Sequence, residues 1–107
     1  MINKRNFEKI LKTSRSHHAL AFKLAYHYKL RISDIVRLER SDFDFDNKDI
    51  LIRRIVPIMV KYSNKIISID EIINLIPIKC SRRALEIAFK RRADKAGLKA
   101  CFNDLRN

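Results

Sequence analysis

Two arginines stand where this 107-residue chain could grip a phosphate. Arg31 lies in Lys29-Leu30-Arg31-Ile32-Ser33-Asp34-Ile35, at the junction of two expected helices. Arg106 lies in Asn103-Asp104-Leu105-Arg106, where another helix is expected to begin. Guanidinium is planar, permanently charged and able to donate two parallel hydrogen bonds. A pair converging on one phosphate can therefore hold the ground state and the charge that develops during phosphoryl transfer. Only Asn107 follows Arg106, so the sequence leads us to expect no nucleophile downstream of it.

The elements that must position these groups read as mostly α with a small antiparallel β-sheet. Phe7, Ile10 and Leu11 fall at helical spacing, which predicts a short opening helix over about Phe7 to Lys12. Ser14 or Ser16 can cap a helix running to about Tyr28, with Leu20, Leu24 and Tyr28 in one row and Ala21, Phe22 and Ala25 widening it. Ser33 suits an N-cap, with Asp34 in the first turn, for a helix expected to end near Arg40. From Asp42 the period shortens: Phe43 and Phe45 alternate with acids, Asp46 to Asp49 offers turn chemistry, and Ile50-Leu51-Ile52 resumes a strand. Ile55 to Val60 and Lys65 to Ile69 are β-branched runs on either side of Lys61-Tyr62-Ser63-Asn64, which predicts a hairpin with lysines at its tip. Pro57 places its strand at an edge or has it begin later. Asp70 is expected to cap a short helix to about Leu75, ended by Pro77, and Ser81 and Gly97 bracket a last long helix. Its buried stripe is Leu85, Ala88, Phe89, Ala93 and Ala96. Arg82, Arg83, Lys90, Arg91 and Lys95 leave cations around the rest of it.

Hydrophobic residues make up 47% of the chain, enough for one modest core, so residues 1–107 read as a single domain or a piece of one. Lys and Arg number 24 against 12 Asp and Glu, a net charge of +12 that points to a polyanionic partner, nucleic acid first. An anionic membrane surface could use the same charge. However, the basic residues are spread over several elements, and no stretch approaches the length of a membrane span. The opening Met-Ile-Asn-Lys-Arg-Asn lacks a hydrophobic leader, so a cytoplasmic protein is expected. Cys80 and Cys101 have no CxxC partner and read as reduced thiols. His17 and His18 are adjacent, hence expected on different helix faces, and His27 is remote from both. The run Asp42, Asp44, Asp46 and Asp49 lacks the glycine and terminal glutamate of a calcium loop. No metal, cofactor or small-molecule substrate is called for.

Taken in order, helix, Arg-x-Ser-Asp, small sheet, lysine-bearing hairpin, basic helix and Asp-Leu-Arg resemble the front part of the catalytic domain of tyrosine recombinases, the phage-type integrases. The resemblance runs from about Ser14 to Asn107. Its strongest segment is Ala21 to Ile52, where Leu24-Ala25-Tyr26 leads to Leu30-Arg31-Ile32-Ser33-Asp34, Ser41-Asp42-Phe43-Asp44-Phe45-Asp46 and Ile50-Leu51-Ile52. The second runs from Ser81-Arg82-Arg83-Ala84-Leu85 through Phe89-Lys90-Arg91 and Ala96-Gly97-Leu98 to Asp104-Leu105-Arg106. The resemblance implies that Arg31 and Arg106 are the catalytic-type arginines, with Asp34 the supporting carboxylate. It implies Lys61 as the hairpin lysine that protonates the leaving 5′ oxygen, with Lys65 as the alternative. The family's histidine falls on Asn103, an amide that cannot exchange a proton near neutral pH.

The family's tyrosine nucleophile would lie beyond Arg106, and its N-terminal core-binding domain finds no counterpart. The resemblance therefore implies a DNA-binding, truncated recombinase that is inactive in strand cleavage by itself. Tyr26, Tyr28 and Tyr62 precede the second arginine and read as packing or hairpin residues. The partner implied is double-stranded DNA, contacted by Arg82, Arg83, Lys90, Arg91, Lys95 and Lys65. A full-length recombinase or a second copy are further expected partners, in the nucleoid of a prokaryote or in the host of a virus or mobile element. The alternative is a basic helical module that binds RNA or a protein and regulates a full-length recombinase. Aromatic residues suited to stacking on single strands are sparse, which weighs against RNA.

Overall fold

The computed structural model describes residues 2–46, 49–53, 59–63 and 67–106. Helix α1, Lys4–Thr13, starts at Asn3, whose side chain accepts from the Asn6 N–H at 2.8 Å, and it buries Phe7 and Ile10. Ser14 belongs to the end of this helix and does not cap the next: its hydroxyl donates to the Ile10 carbonyl at 2.6 Å. Helix α2, Ser16–Tyr28, follows Arg15, which supplies no side-chain cap. Leu20, Ala21, Phe22, Leu24 and Ala25 are all fully buried, so apolar side chains surround most of α2 and make it the central strut of the core.

The end of α2 decides where the first arginine goes. Lys29 takes a left-handed conformation, φ 59° and ψ 28°, and its N–H bonds the Ala25 carbonyl at 3.1 Å. This is the cap geometry that glycine normally fills, and a side chain there costs about 1–2 kcal/mol. The Lys29 ammonium lies 5.4 Å from the centre of the Tyr26 ring, an attraction that offsets part of this cost. The sharp turn buries Leu30 and leaves Arg31 exposed immediately before α3, Ile32–Ile35. Ser33 is inside α3 and does not cap it, and the helix ends at Ile35, short of the expected Arg40. Leu38 is drawn into the core, Glu39 becomes extended, and a separate 3-10 turn forms over Arg40–Asp42. That turn is held by the Asp42 carboxylate on the Glu39 N–H at 2.9 Å and by Arg40 Nε donating to the Ile76 carbonyl at 3.0 Å.

Strands β1 (Phe43–Asp46), β2 (Asp49–Arg53) and β3 (Met59–Ser63) form an antiparallel sheet in the order β1-β2-β3. Phe43 pairs with Ile52 and Ile52 with Val60, while Asp44 pairs with Leu51 and Leu51 with Lys61. Phe43, at the start of β1, is buried and anchors the sheet to the core. The expected hairpin tip is corrected. Lys61 lies within a strand, and of the second arm expected over Lys65 to Ile69, Lys65 and Ile66 lie outside the described residues, Ile67 and Ser68 are in no strand, and Ile69 opens helix α4, Ile69–Leu75. Pro57 lies outside the described residues as well. The cap of α4 is Ser68 and not Asp70: Ser68 Oγ accepts from the Glu71 N–H at 3.1 Å, and Glu71 Oε1 accepts from the Ser68 N–H at 3.2 Å. Glu71 also pairs with Lys23 at 3.1 Å, tying α4 to α2.

Helix α5, Arg82–Lys95, is capped by Ser81, whose hydroxyl accepts from the Ala84 N–H at 3.1 Å, and it buries Leu85, Phe89 and Ala93. Beyond Ala96, Gly97 has φ 77°, the backbone state in which a side chain is strained even though open space surrounds it. The chain then returns as a 3-10 turn, Phe102–Arg106, anchored by Phe102 and Leu105. Phe22, Phe89 and Phe102 form a triangle of edge-to-face rings with centroids 5.2, 5.9 and 5.9 Å apart. Through it α2, α5 and the terminal turn share one packing centre.

This packing makes two outcomes testable. Phe102→Ala leaves a cavity against Phe22 and Phe89 and is expected to cost about 3–5 kcal/mol in denaturant unfolding, with the loss spread over the whole transition. The second concerns pH. His18 titrates below the ordinary 6.5 because of burial, then His17, Arg15 and Arg92. His27 does so because of burial, then Lys23, Lys29 and Lys4. Both folded pKa values are lowered, so the unfolded chain binds more protons around them. Their stabilisation is present above pH 6.5 and is lost as pH falls through the lowered values. The melting temperature is expected to drop between about pH 7.5 and about pH 5, less steeply in a His18→Gln, His27→Gln double variant.

Candidate nucleic-acid interface

The terminal 3-10 turn carries the second arginine back to the first. Arg106 Nε donates to the Lys29 carbonyl at 3.0 Å, a bond that spans 77 residues of sequence. Arg31 lies two residues beyond Lys29, no more than about 7 Å along the chain. The Nε–H bond fixes the plane of the Arg106 guanidinium and leaves its Nη groups as donors for an anion. Arg31 projects from the exposed position before α3, where its own carbonyl accepts from the Asp34 and Ile35 N–H groups at 3.0 Å each. Asp34 stands in the single turn of α3, half-buried. Arg31, Asp34 and Arg106 thus come from two segments that meet at the C-terminal end of α2.

Local chemistry orients the terminal turn. The Asp104 carboxylate accepts from the Cys101 N–H at 2.8 Å, and the Asp104 N–H returns a bond to the Cys101 carbonyl at 3.0 Å. The first of these bonds holds the Asp104 carboxyl below the usual carboxylate range. Asn103, at the histidine position of the resemblance, lines an open groove of about 420 Å³ with Ile32, Arg82, Glu86, Lys90, Cys101 and Phe102. Ile32 follows Arg31, and Asn103 precedes Arg106 by one turn, so this groove adjoins the arginine corner. Arg82 and Glu86 are bonded at 3.0 Å across one helical turn, which neutralises part of the groove's charge and leaves Lys90 as its second cation.

The basic residues of α5 do not all face this corner. Arg82 and Lys90 line the groove beside Asn103. Arg91 and Lys95 line another with Arg15, His18 and Arg92, and Arg92 and Lys95 border a third with Lys9 and Lys12. Arg83 is exposed near the start of α5. Lys61 is fixed by its strand register opposite Leu51, and Lys65 lies outside the described residues. Sequence reasoning missed the Lys29 carbonyl, since nothing in a lysine codon signals a left-handed cap. It also passed over Arg15 and Arg92, which only the packing of α5 beside α2 brings together. The Arg82 and Glu86 pair was available from the i, i+4 spacing.

Compared with known proteins, the sequence matches the model of the phage integrase family over residues 1–107. No curated protein matches it. Among solved structures, the fold is similar to the crystal structure of the lambda integrase, residues 75-356, bound to DNA. The TM-score is 0.66 and the identity 16%, covering 98% of this chain and 47% of that one, so this chain spans about half the length of that structure. No helix among the described residues is long and apolar enough to cross a membrane. A family match along the whole sequence, on a mostly helical body of the lambda integrase fold, establishes that the chain belongs to the phage integrase family of tyrosine recombinases.

Proposed function

We propose that this chain binds duplex DNA through its phosphates, using Arg31 and Arg106 to grip one phosphate while Arg82 and Lys90 engage the neighbouring backbone. The observation that carries the reading is the Arg106 bond to the Lys29 carbonyl, which holds the second arginine beside the loop of the first on a chain of net charge +12. The similar lambda integrase structure is bound to DNA, which supports the same partner class. In a strand-transfer reaction the two guanidinium groups would stabilise charge on the pentacoordinate phosphorus, Asp34 would balance them, and Lys61 would act as general acid towards the leaving oxygen. Asn103 can donate a hydrogen bond to a phosphate oxygen but cannot carry the proton that an imidazole would.

Cleavage also needs a nucleophile, and the tyrosines of residues 1–107 are poor candidates. Tyr26 is stacked on Phe7 at 4.1 Å, Tyr28 packs against the core from α2, and Tyr62 is in β3. On this reading residues 1–107 bind DNA and do not cut it. In that case a recombination site is held, or a complete recombinase assisted, with no covalent step from residues 1–107.

The test is equilibrium binding to duplex DNA across salt, with RNA of equal length and heparin in parallel. Affinity for the duplex is expected to fall linearly on a log-log plot against salt. Arg31→Ala is expected to weaken binding by about tenfold or more and to reduce the salt slope by about 1. Arg31→Lys is expected to recover the slope more fully than the affinity, because the bidentate geometry is lost while the charge remains. Equal affinity for DNA, RNA and heparin, with no response to Arg31→Ala, would sink the proposal.

A further inference from the structure

The first turn of α2 and the connection into α5 bring together three side chains that the DNA-binding reading does not use. The ligating atoms of His17, His18 and Cys80 all lie within 4.8 Å of one another, and all three residues are half-buried. Spacing alone predicts that adjacent helical residues diverge, and here that expectation is corrected. The His17 and His18 rings are tilted at 52° with centroids only 4.2 Å apart. Cys80 reaches them from the segment between α4 and α5, brought alongside α2 by the packing of both helices on it.

We propose that His17, His18 and Cys80 form a binding site for a zinc-class divalent ion, with a fourth position open to water or another ligand. Two imidazole nitrogens and one thiolate are the donor set of a borderline-soft transition metal. Magnesium and calcium require oxygen ligands, and these three residues offer none. In a tetrahedral zinc site, metal bonds of about 2.0–2.1 Å to nitrogen and 2.3 Å to sulfur set ligand atoms about 3.4–3.6 Å apart. Closing from at most 4.8 Å needs only small side-chain rotations, which half-buried groups can make without moving the helices. On binding, the Cys80 S–H bond breaks, the proton leaves to solvent and the sulfur lone pair forms the metal bond.

The surroundings rank the ligands. His18 also lines the groove that holds Arg15, Arg91, Arg92 and Lys95, with Asp94 the acid among them. These cations oppose an incoming metal ion, and the thiolate is the one ligand that brings a countercharge. Affinity should therefore depend on Cys80 more than on either histidine. Cys101, the other thiol, is exposed and lines the separate groove with Asn103, so it is the internal control.

The experiment titrates Zn²⁺ and, as a spectroscopic probe, Co²⁺ into the reduced full 107-residue protein, with circular dichroism confirming the fold of each variant. One equivalent of Co²⁺ is expected to produce a thiolate charge-transfer band and the visible absorption of a tetrahedral site. Zn²⁺ is expected to raise the melting temperature. Cys80→Ser should abolish the band and weaken Zn²⁺ by at least about tenfold, His17→Ala should weaken both ions while keeping the band, and Cys101→Ser should change nothing. Absence of the band in the parent protein, its survival in Cys80→Ser, or its loss in Cys101→Ser would each overturn the assignment. Because none of these substitutions touches Arg31 or Arg106, DNA binding can fail or succeed independently of the result.

Discussion

Edge-to-face packing among Phe22, Phe89 and Phe102 is the interaction on which the arginine corner depends. Each ring comes from a different element, so the triangle is at once the middle of the core and the clamp that holds the terminal 3-10 turn against α2. Phe102 and Leu105 are both buried, and from the same turn Arg106 reaches the Lys29 carbonyl. A surface hydrogen bond from a guanidinium near a chain end would be worth little alone, because the ordering entropy of a long side chain opposes it. Here most of that ordering is supplied by the buried rings, and the bond only selects the guanidinium orientation.

The second constraint is electrostatic. A chain with 24 basic residues repels itself, and among the described residues no charged side chain is fully buried. Cations are instead spread over several grooves. The groove beside Asn103 mixes Arg82 and Lys90 with Glu86, a second gathers Arg15, Arg91, Arg92 and Lys95 with Asp94, and a third sets Lys9 and Lys12 beside Arg92 and Lys95. The first adjoins the arginine corner, and the others carry more cations per acid. Under the proposed DNA binding, the first would serve the local grip on a phosphate and the others a longer stretch of backbone, where the gain comes from releasing counterions.

Much of the helical frame was legible. The apolar stripe of α5, its Ser81 cap and the Gly97 stop are local signals with a single reading, and they agree with the structure. The run from Leu20 to Tyr28 is equally plain. Sequence reasoning failed where two local signals competed. Ser14 could begin α2 or end α1, and its bond to the Ile10 carbonyl decided for the latter. Ser33 looked like a cap, but the helix starts two residues earlier than that, with Arg31 at the cap position, and ends at Ile35, where Ile35 and Leu38 are buried. The β-branched run up to Ile69 suggested a strand, yet the reciprocal Ser68 and Glu71 capping box, with Lys23 on Glu71, made a helix of its end.

By itself the sequence determined the residue types that can hold a phosphate, the excess of positive charge and the order of segments shared with the integrase family. These properties are carried by single residues or by short-range spacing, so no folding is needed to read them. Only the tertiary structure decided which of these groups meet. The Arg106 bond to the Lys29 carbonyl, the seating of Phe102 and the approach of Cys80 to His17 and His18 are each contacts between segments far apart in the chain, and no local pattern encodes the distance across such a contact.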